Sequence, residues 1–228
     1  LSYKTCSGGS YELKDGSCEL CERGKYTNIN TVKFYCIECE AGKYQENENS
    51  TFCNDCTSGK YSSKSASTTC SLCLIGEVAG TSAVSCTKCE EGRYQNSSEC
   101  IDCLEGTYSA SAGSSTCTVC SMGKYSSNIA TTCVECEPGK YQHHEGSTSC
   151  LDCVEGTYAN KSGLTHCFTC PIGQIPDASL TSCTECKSDL QYAPYPGMSA
   201  CTFCPGFSER KNKTHCHCQS GYYDALTN

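Results

Sequence analysis

Apolar residues along this chain show no 3.6-residue periodicity, and the longest apolar runs are only a few residues. What recurs instead is one large ring in a polar stretch. A cysteine is followed three residues later by glycine and five later by tyrosine. A run rich in Ser, Thr, Asn and Gly then leads to a second cysteine, as in CEPGKYQHHEGSTSC from Cys136 to Cys150. Two short strands either side of a turn suit such a pattern, so it predicts one small β-hairpin per unit and almost no helix.

The phase of the repeat decides how the cysteines are used. Twelve C-x2-C pairs begin at Cys18, Cys36, Cys53, Cys70, Cys86, Cys100, Cys117, Cys133, Cys150, Cys167, Cys183 and Cys201, with starts 14 to 18 residues apart. Cys6 belongs to no such pair yet opens CSGGSY, and Cys218 opens CQSGYY after Cys216-His217. The unit therefore runs from the second cysteine of one pair to the first of the next, and C-x2-C is a junction. This phase proposes bridges Cys6–Cys18, Cys21–Cys36, Cys39–Cys53, Cys56–Cys70, Cys73–Cys86, Cys89–Cys100 and Cys103–Cys117. It continues with Cys120–Cys133, Cys136–Cys150, Cys153–Cys167, Cys170–Cys183, Cys186–Cys201 and Cys204–Cys216. Cys218 is left unpaired in this segment. Bridges inside the C-x2-C pairs are the alternative, since a sequence does not fix connectivity.

Each recurring position has a structural reading. The glycine turns the backbone just after the bridge, in a conformation closed to other residues. The ring of Tyr26, Tyr44, Tyr61, Tyr94, Tyr108, Tyr125, Tyr141 or Tyr158 covers the disulfide, a more economical role than a stacking platform for bases or sugars. Asn49, Asn96, Gly113, Gly146 and Gly163 stand four residues before the closing cysteine and are expected to make the return turn at positive φ. Acids at Glu38, Asp55, Asp102, Glu135, Asp152 and Glu185, and bases at Lys25, Lys43, Lys60, Arg93, Lys124 and Lys140, read as solvated charges with weak ion pairs. One acid per junction is too few for calcium.

A longer period overlies the first. Units opening at Cys39, Cys89 and Cys136 read EAGKYQ, EEGRYQ and EPGKYQ, and triplets of units recur every 47 or 50 residues. Duplication of a three-unit block is one reading. The sharper one is a face presented every third unit and marked by Gln45, Gln95 and Gln142. The motif decays in 186–216, where KSDLQY and PGFSE follow Cys186 and Cys204 and a bent or irregular region is expected. The whole of 1–228 reads as one continuous array of about 13 modules.

Composition sharpens this picture. Of 228 residues 27 are cysteine, tryptophan is absent and phenylalanine appears five times, so bridges must supply what core burial cannot. The fold class is thus small disulfide-rich repeats in an elongated rod. With net charge −8 and its 17 basic residues dispersed, the chain offers no phosphate-holding patch, which argues against nucleic acid. No stretch is long and apolar enough to span a bilayer. Disulfides imply the secretory route and an extracellular or cell-surface location. Opening at Leu1, the chain reads as a segment of a longer secreted or surface protein.

Zinc is the main competing use of paired C-x2-C motifs. The attachment of the same unit to Cys6 and Cys218 speaks against it. Redox catalysis would want a thioredoxin-like βαβ pattern that is not here. His143 and His144 fall in a loop, His166 abuts Cys167, and the His215 to Cys218 run reads as a module junction rather than a copper or zinc site. No catalytic set can be placed, no cofactor is implied, and the chain is expected not to be an enzyme. Sequons at Asn49, Asn96, Asn160 and Asn212 predict covalent N-glycans, with at least two occupied.

In tandem, CxxGxY…CxxC resembles the ephrin-receptor-like cysteine-rich repeat, and the single unit is similar to the one-bridge submodule of tumour-necrosis-factor receptors. The resemblance covers essentially the whole chain and weakens at Cys186 and Cys204. Interlocked two-bridge submodules are not evident, so cytokine binding is not implied. Long arrays of this kind resemble large surface proteins and extracellular filaments of protists. The resemblance implies a glycosylated rod in a filament or surface coat, associating with itself or with other extracellular proteins. A receptor or adhesion stalk is the alternative.

Overall fold

The computed structural model describes residues 6–27, 35–206, 208–212 and 214–218, with the backbone alone described at 209, 211, 217 and 218. The described chain contains no helix. It is a succession of 13 antiparallel two-stranded hairpins, most with strands of only two residues. Each hairpin is closed by one disulfide, from Cys6–Cys18 through Cys136–Cys150 to Cys204–Cys216, with Cα–Cα spans of 5.4–5.9 Å. The 13 bridges follow one another without interlocking. Contacts divide the chain at the seventh module into two compact units, Leu1–Cys103 with Ser109–Cys117 and Leu104–Tyr108 with Thr118–Asn228.

Register follows from the repeat. The base after the glycine faces the junction acid and the tyrosine faces the residue after the closing cysteine, as in Lys140↔Asp152 and Tyr141↔Leu151. The glycine immediately precedes the first strand at positive φ, +81° at Gly24 and +85° at Gly139. The second sharp reversal lies four residues before the closing cysteine, at Asn49, Gly113, Gly146 and Gly163. Ala66, Ser82 and Ile129 hold the same place at φ 53–57°, although none of them favours that region.

Asn96 departs from expectation. The sixth module is short, its cysteines only 11 residues apart, and its strands extend over Arg93–Asn96 and Glu99–Asp102. Asn96 is therefore the last strand residue, and the positive φ passes to Ser97 at 57°. Two extra strand pairs replace the wide return turn.

The interior is a line of small contacts. Opening cysteines such as Cys39, Cys103, Cys120 and Cys136 are fully buried, whereas their closing partners are half-exposed. Beside them lies the residue after the tyrosine, buried as Thr27, Ser62, Ala79, Ser109, Ser126 and Ala159. Gln45 and Gln142 occupy this position at 2% and 6% exposure, which overturns the idea of a presented glutamine face. Gln45 Nε2 donates to the Phe52 carbonyl and Gln142 Nε2 to the Ser149 carbonyl, each bracing its own return turn. Tyr141 packs against Cys153, Ala159 and Leu164 of the following module, so a ring shelters its neighbour's bridge.

Modules of 186–216 keep the hairpin but alter its detail. Strands Ser208–Asn212 and His215–Cys218 pair with a register shift between Arg210 and Asn212. Arg210 Nη1 donates to the Cys186 carbonyl at 2.9 Å, a cross-module tie that the other units lack the side chain to make. The unit expected to open at Cys218 lies outside the described residues, as does the Cys218 side chain.

Candidate functional site

The most organised chemistry in the molecule is the seam between consecutive modules. It is built from backbone groups that the repeat places at fixed points. The third-position glycine donates its N–H to the carbonyl of the buried residue in the next module, as in Gly24 to Gln45, Gly42 to Ser62 and Gly123 to Gln142, at 2.7–2.8 Å. The return-turn residue donates back to the opening cysteine of the preceding module. Asn49 reaches Cys21, Ala66 Cys39, Ser82 Cys56, Gly113 Cys89 and Gly146 Cys120, all at 2.7–2.9 Å. A third bond runs from the buried residue to the carbonyl after the return turn, as in Gln45 to Ser67 and Gln142 to Leu164. These bonds satisfy main-chain groups that strands of two residues leave unpaired.

The return turn also reaches two modules back. A Cβ on Gly24 would overlap the Ala66 carbonyl, one on Gly76 the Gly113 carbonyl, and one on Gly156 the Gly197 carbonyl. On Gly139 it would stand 2.6 Å from the Ser179 carbonyl oxygen. Glycine is thus required twice at this position, for its φ and for the passage of a distant backbone. Junction side chains close the same contact: Ser65 donates to Glu38 at 3.0 Å and Ser82 to Asp55 at 2.8 Å. Ser82, and after it Lys43, hold the Asp55 carboxyl below its ordinary pKa.

The charged residues pair across the hairpins. Lys43 meets Asp55 at 3.2 Å, Arg93 meets Asp102 at 2.9 Å, Lys124 meets Glu135 at 3.3 Å and Lys140 meets Asp152 at 2.5 Å. Lys25, opposite Glu38 in register, pairs instead with Glu22, and Lys60 stands opposite Leu72. All are half-exposed or exposed, where such pairs contribute about 0–1 kcal/mol each. The Asp152 hydrogen bond raises the Lys140 pKa. Asp177 is the most strongly perturbed group among the described residues. It accepts from Ser182 Oγ, the Thr181 amide and Ser179 Oγ, and these donors hold its carboxyl far below the usual range.

Shallow grooves repeat along the seams, each framed by a tyrosine of one module and the lysine and closing cysteine of the next. One holds Tyr44, Lys60 and Cys70, another Tyr108, Lys124 and Cys133. The His143 and His144 rings lie 3.9 Å apart and Tyr141 stacks on His143. His166 meets Phe168 edge-on. Among the described residues no three His, Cys, Asp or Glu side chains gather as a metal site. No helix there is long and apolar enough to cross a membrane.

The four sequon asparagines are all exposed. Asn160 stands clear of any hydrogen-bonded turn and Asn96 ends a strand. Asn49 lies on the backbone of Gly8 and Gly9, to which its amide nitrogen donates. Asn212 Oδ1 accepts from the amides of Thr214 and His215. The seam bonds were not foreseen in the sequence, where the glycine spacing is visible but its distant neighbour is not.

Residues 123–163 match the family model described as tyrosine-protein kinase ephrin type A/B receptor-like. The match runs from the third-position glycine of the eighth module to the return turn of the tenth, and the ladder of 13 disulfides fits cysteine-rich repeats of that kind. No curated protein matches the chain.

Proposed function

We propose that this array of extracellular-type, ephrin-receptor-like cysteine-rich repeats is a structural element of an extracellular filament or cell-surface coat. The observation that carries the reading is the repetition of one seam. The same three backbone bonds and the same two-module reach recur in both compact units, so the positions that repeat from module to module serve to join modules. Opening cysteines, third-position glycines and buried small residues face one another rather than solvent. The outward residues vary in size and charge from module to module, which suits assembly and glycan display better than recognition of one small molecule.

Covalent glycans, self-association and contacts with other extracellular proteins are the partners this reading entails. A stalk that holds a receptor or adhesion head is the second reading, favoured by the family model's description. Electron microscopy of the native material separates them. Ordered fibres or a continuous coat labelled by an antibody to this chain support the first, and isolated projections from a membrane contradict it.

A further inference from the structure

The seam at Gly59 differs from eight others. The third-position glycines Gly9, Gly24, Gly42, Gly76, Gly106, Gly123, Gly139 and Gly156 all have a return-turn carbonyl where a Cβ would stand, but Gly59 has nothing within 4 Å. The cause is the short sixth module, which should supply that turn and instead makes a straight hairpin tipped by Ser97 and Ser98. Its other bonds are missing as well. No donor from the sixth module reaches the Cys73 carbonyl, and the Ala79 amide lacks the bond that Ser62 and Gln95 make to the next module. Gln95 repairs only the near side, its Oε1 accepting from the Gly76 amide at 2.7 Å.

The junction side chain is stranded too. Val119 and Thr169 at equivalent junctions lie 3.3 and 3.0 Å from where a Cβ on the return-turn glycine would be. Leu72 has no such turn above it and is 72% exposed, beside Leu74 and Ile75 at 72% and 81%. An open slot thus continues the line of module interfaces, with one unpaired carbonyl, one unpaired amide and an apolar wall.

The neighbouring seams show what fills such a slot: a polypeptide turn carrying one residue at positive φ. Ser97, at φ 57°, matches Asn49, Ala66 and Ser82 at 56°, 53° and 56°, yet it sits against neither Gly59 nor any of the eight glycines named above. We propose that the hairpin tip Asn96–Glu99 of a second copy of this chain enters the slot at Gly59, Leu72 and Cys73. Two copies then exchange tips reciprocally, each offering the same patch. The inference rests on the self-associating role above and names the surface that carries it.

Sedimentation of the full chain across a concentration series tests this, in a Ser98→Ala background that removes the Asn96 sequon from the tip. The expected result is a monomer–dimer equilibrium that Leu72→Glu weakens about tenfold or more. Gly59→Ala, whose methyl would meet the incoming carbonyl, should do the same, whereas Leu104→Glu, equally exposed but outside the slot, should not. A photo-crosslinking residue at position 72 should couple to the peptide holding Ser97 of the other copy. A monomer at every concentration, dimers indifferent to both slot variants, or crosslinks elsewhere overturn the contact. Native fibres that survive Leu72→Glu would remove this seam and keep the filament reading. Solution dimers lost on Leu72→Glu, from a chain whose native form is an isolated stalk, would keep the seam and remove the filament.

Discussion

Gly76 and Gly113, two modules apart, meet so closely that a methyl on the first would overlap the carbonyl oxygen of the second. Gly59, at nearly the same φ (+78° against +83°), has open space instead. Comparing the two positions separates the reasons for glycine. Gly59→Ala should cost the left-handed strain alone, about 1–2 kcal/mol. Gly76→Ala should cost about 1–3 kcal/mol more, because a backbone must shift. Thermal melting of monomeric protein with disulfides intact gives the difference, and faster exchange of the Gly113 amide, bonded to the Cys89 carbonyl, should locate it.

Ile129 provides the converse test. It holds the return-turn position at φ 57°, where a β-branched residue is strained, and its side chain is 45% exposed. Ile129→Gly should raise stability by about 1 kcal/mol, read as a higher melting temperature. No change would mean the turn is not under strain.

Much of this architecture is legible in the sequence, because covalent spacing and turn chemistry are local. The recurring Cys-x-x-Gly-x-Tyr announces hairpins, and two-residue strands leave no room for other folds. Gln45 and Gln142 show where local reasoning ends. As polar residues in a polar run they look presented, yet the tight seam buries them against their own return turns. Asn96 shows a second limit: shortening a loop moves the positive φ by one residue, to Ser97, by lengthening the strands. The two-module reach is invisible in principle, since a glycine records that space is needed and not what occupies it.

Asp177 predicts a pH dependence. The donors from Ser182, Thr181 and Ser179 favour its carboxylate, so its folded pKa lies below the unfolded value of about 3.9. The loop's stabilisation should be complete above that value and fall away as pH drops through the lower folded one. Titration of the Asp177 carboxyl by nuclear magnetic resonance should give a midpoint clearly below 3.9, taken as about the unfolded value. Asp177→Asn should abolish the linked change at the Thr181 amide. A midpoint at the unfolded value would contradict the cage.

Glycosylation is read by intact mass before and after a glycosidase. At least two of Asn49, Asn96, Asn160 and Asn212 should carry glycans, Asn160 first among them because its side chain is exposed and outside any turn. Substituting Asn160→Gln should remove one glycan mass without altering the melting temperature.

Peptide mapping of the unreduced protein reaches furthest into this account. Bonded peptides should join Cys136 with Cys150 and Cys153 with Cys167, and each other opening cysteine with the closing one of its own hairpin. Peptides bridged within a C-x2-C pair, such as Cys150 to Cys153, or thiols found free or bound to zinc, would contradict it.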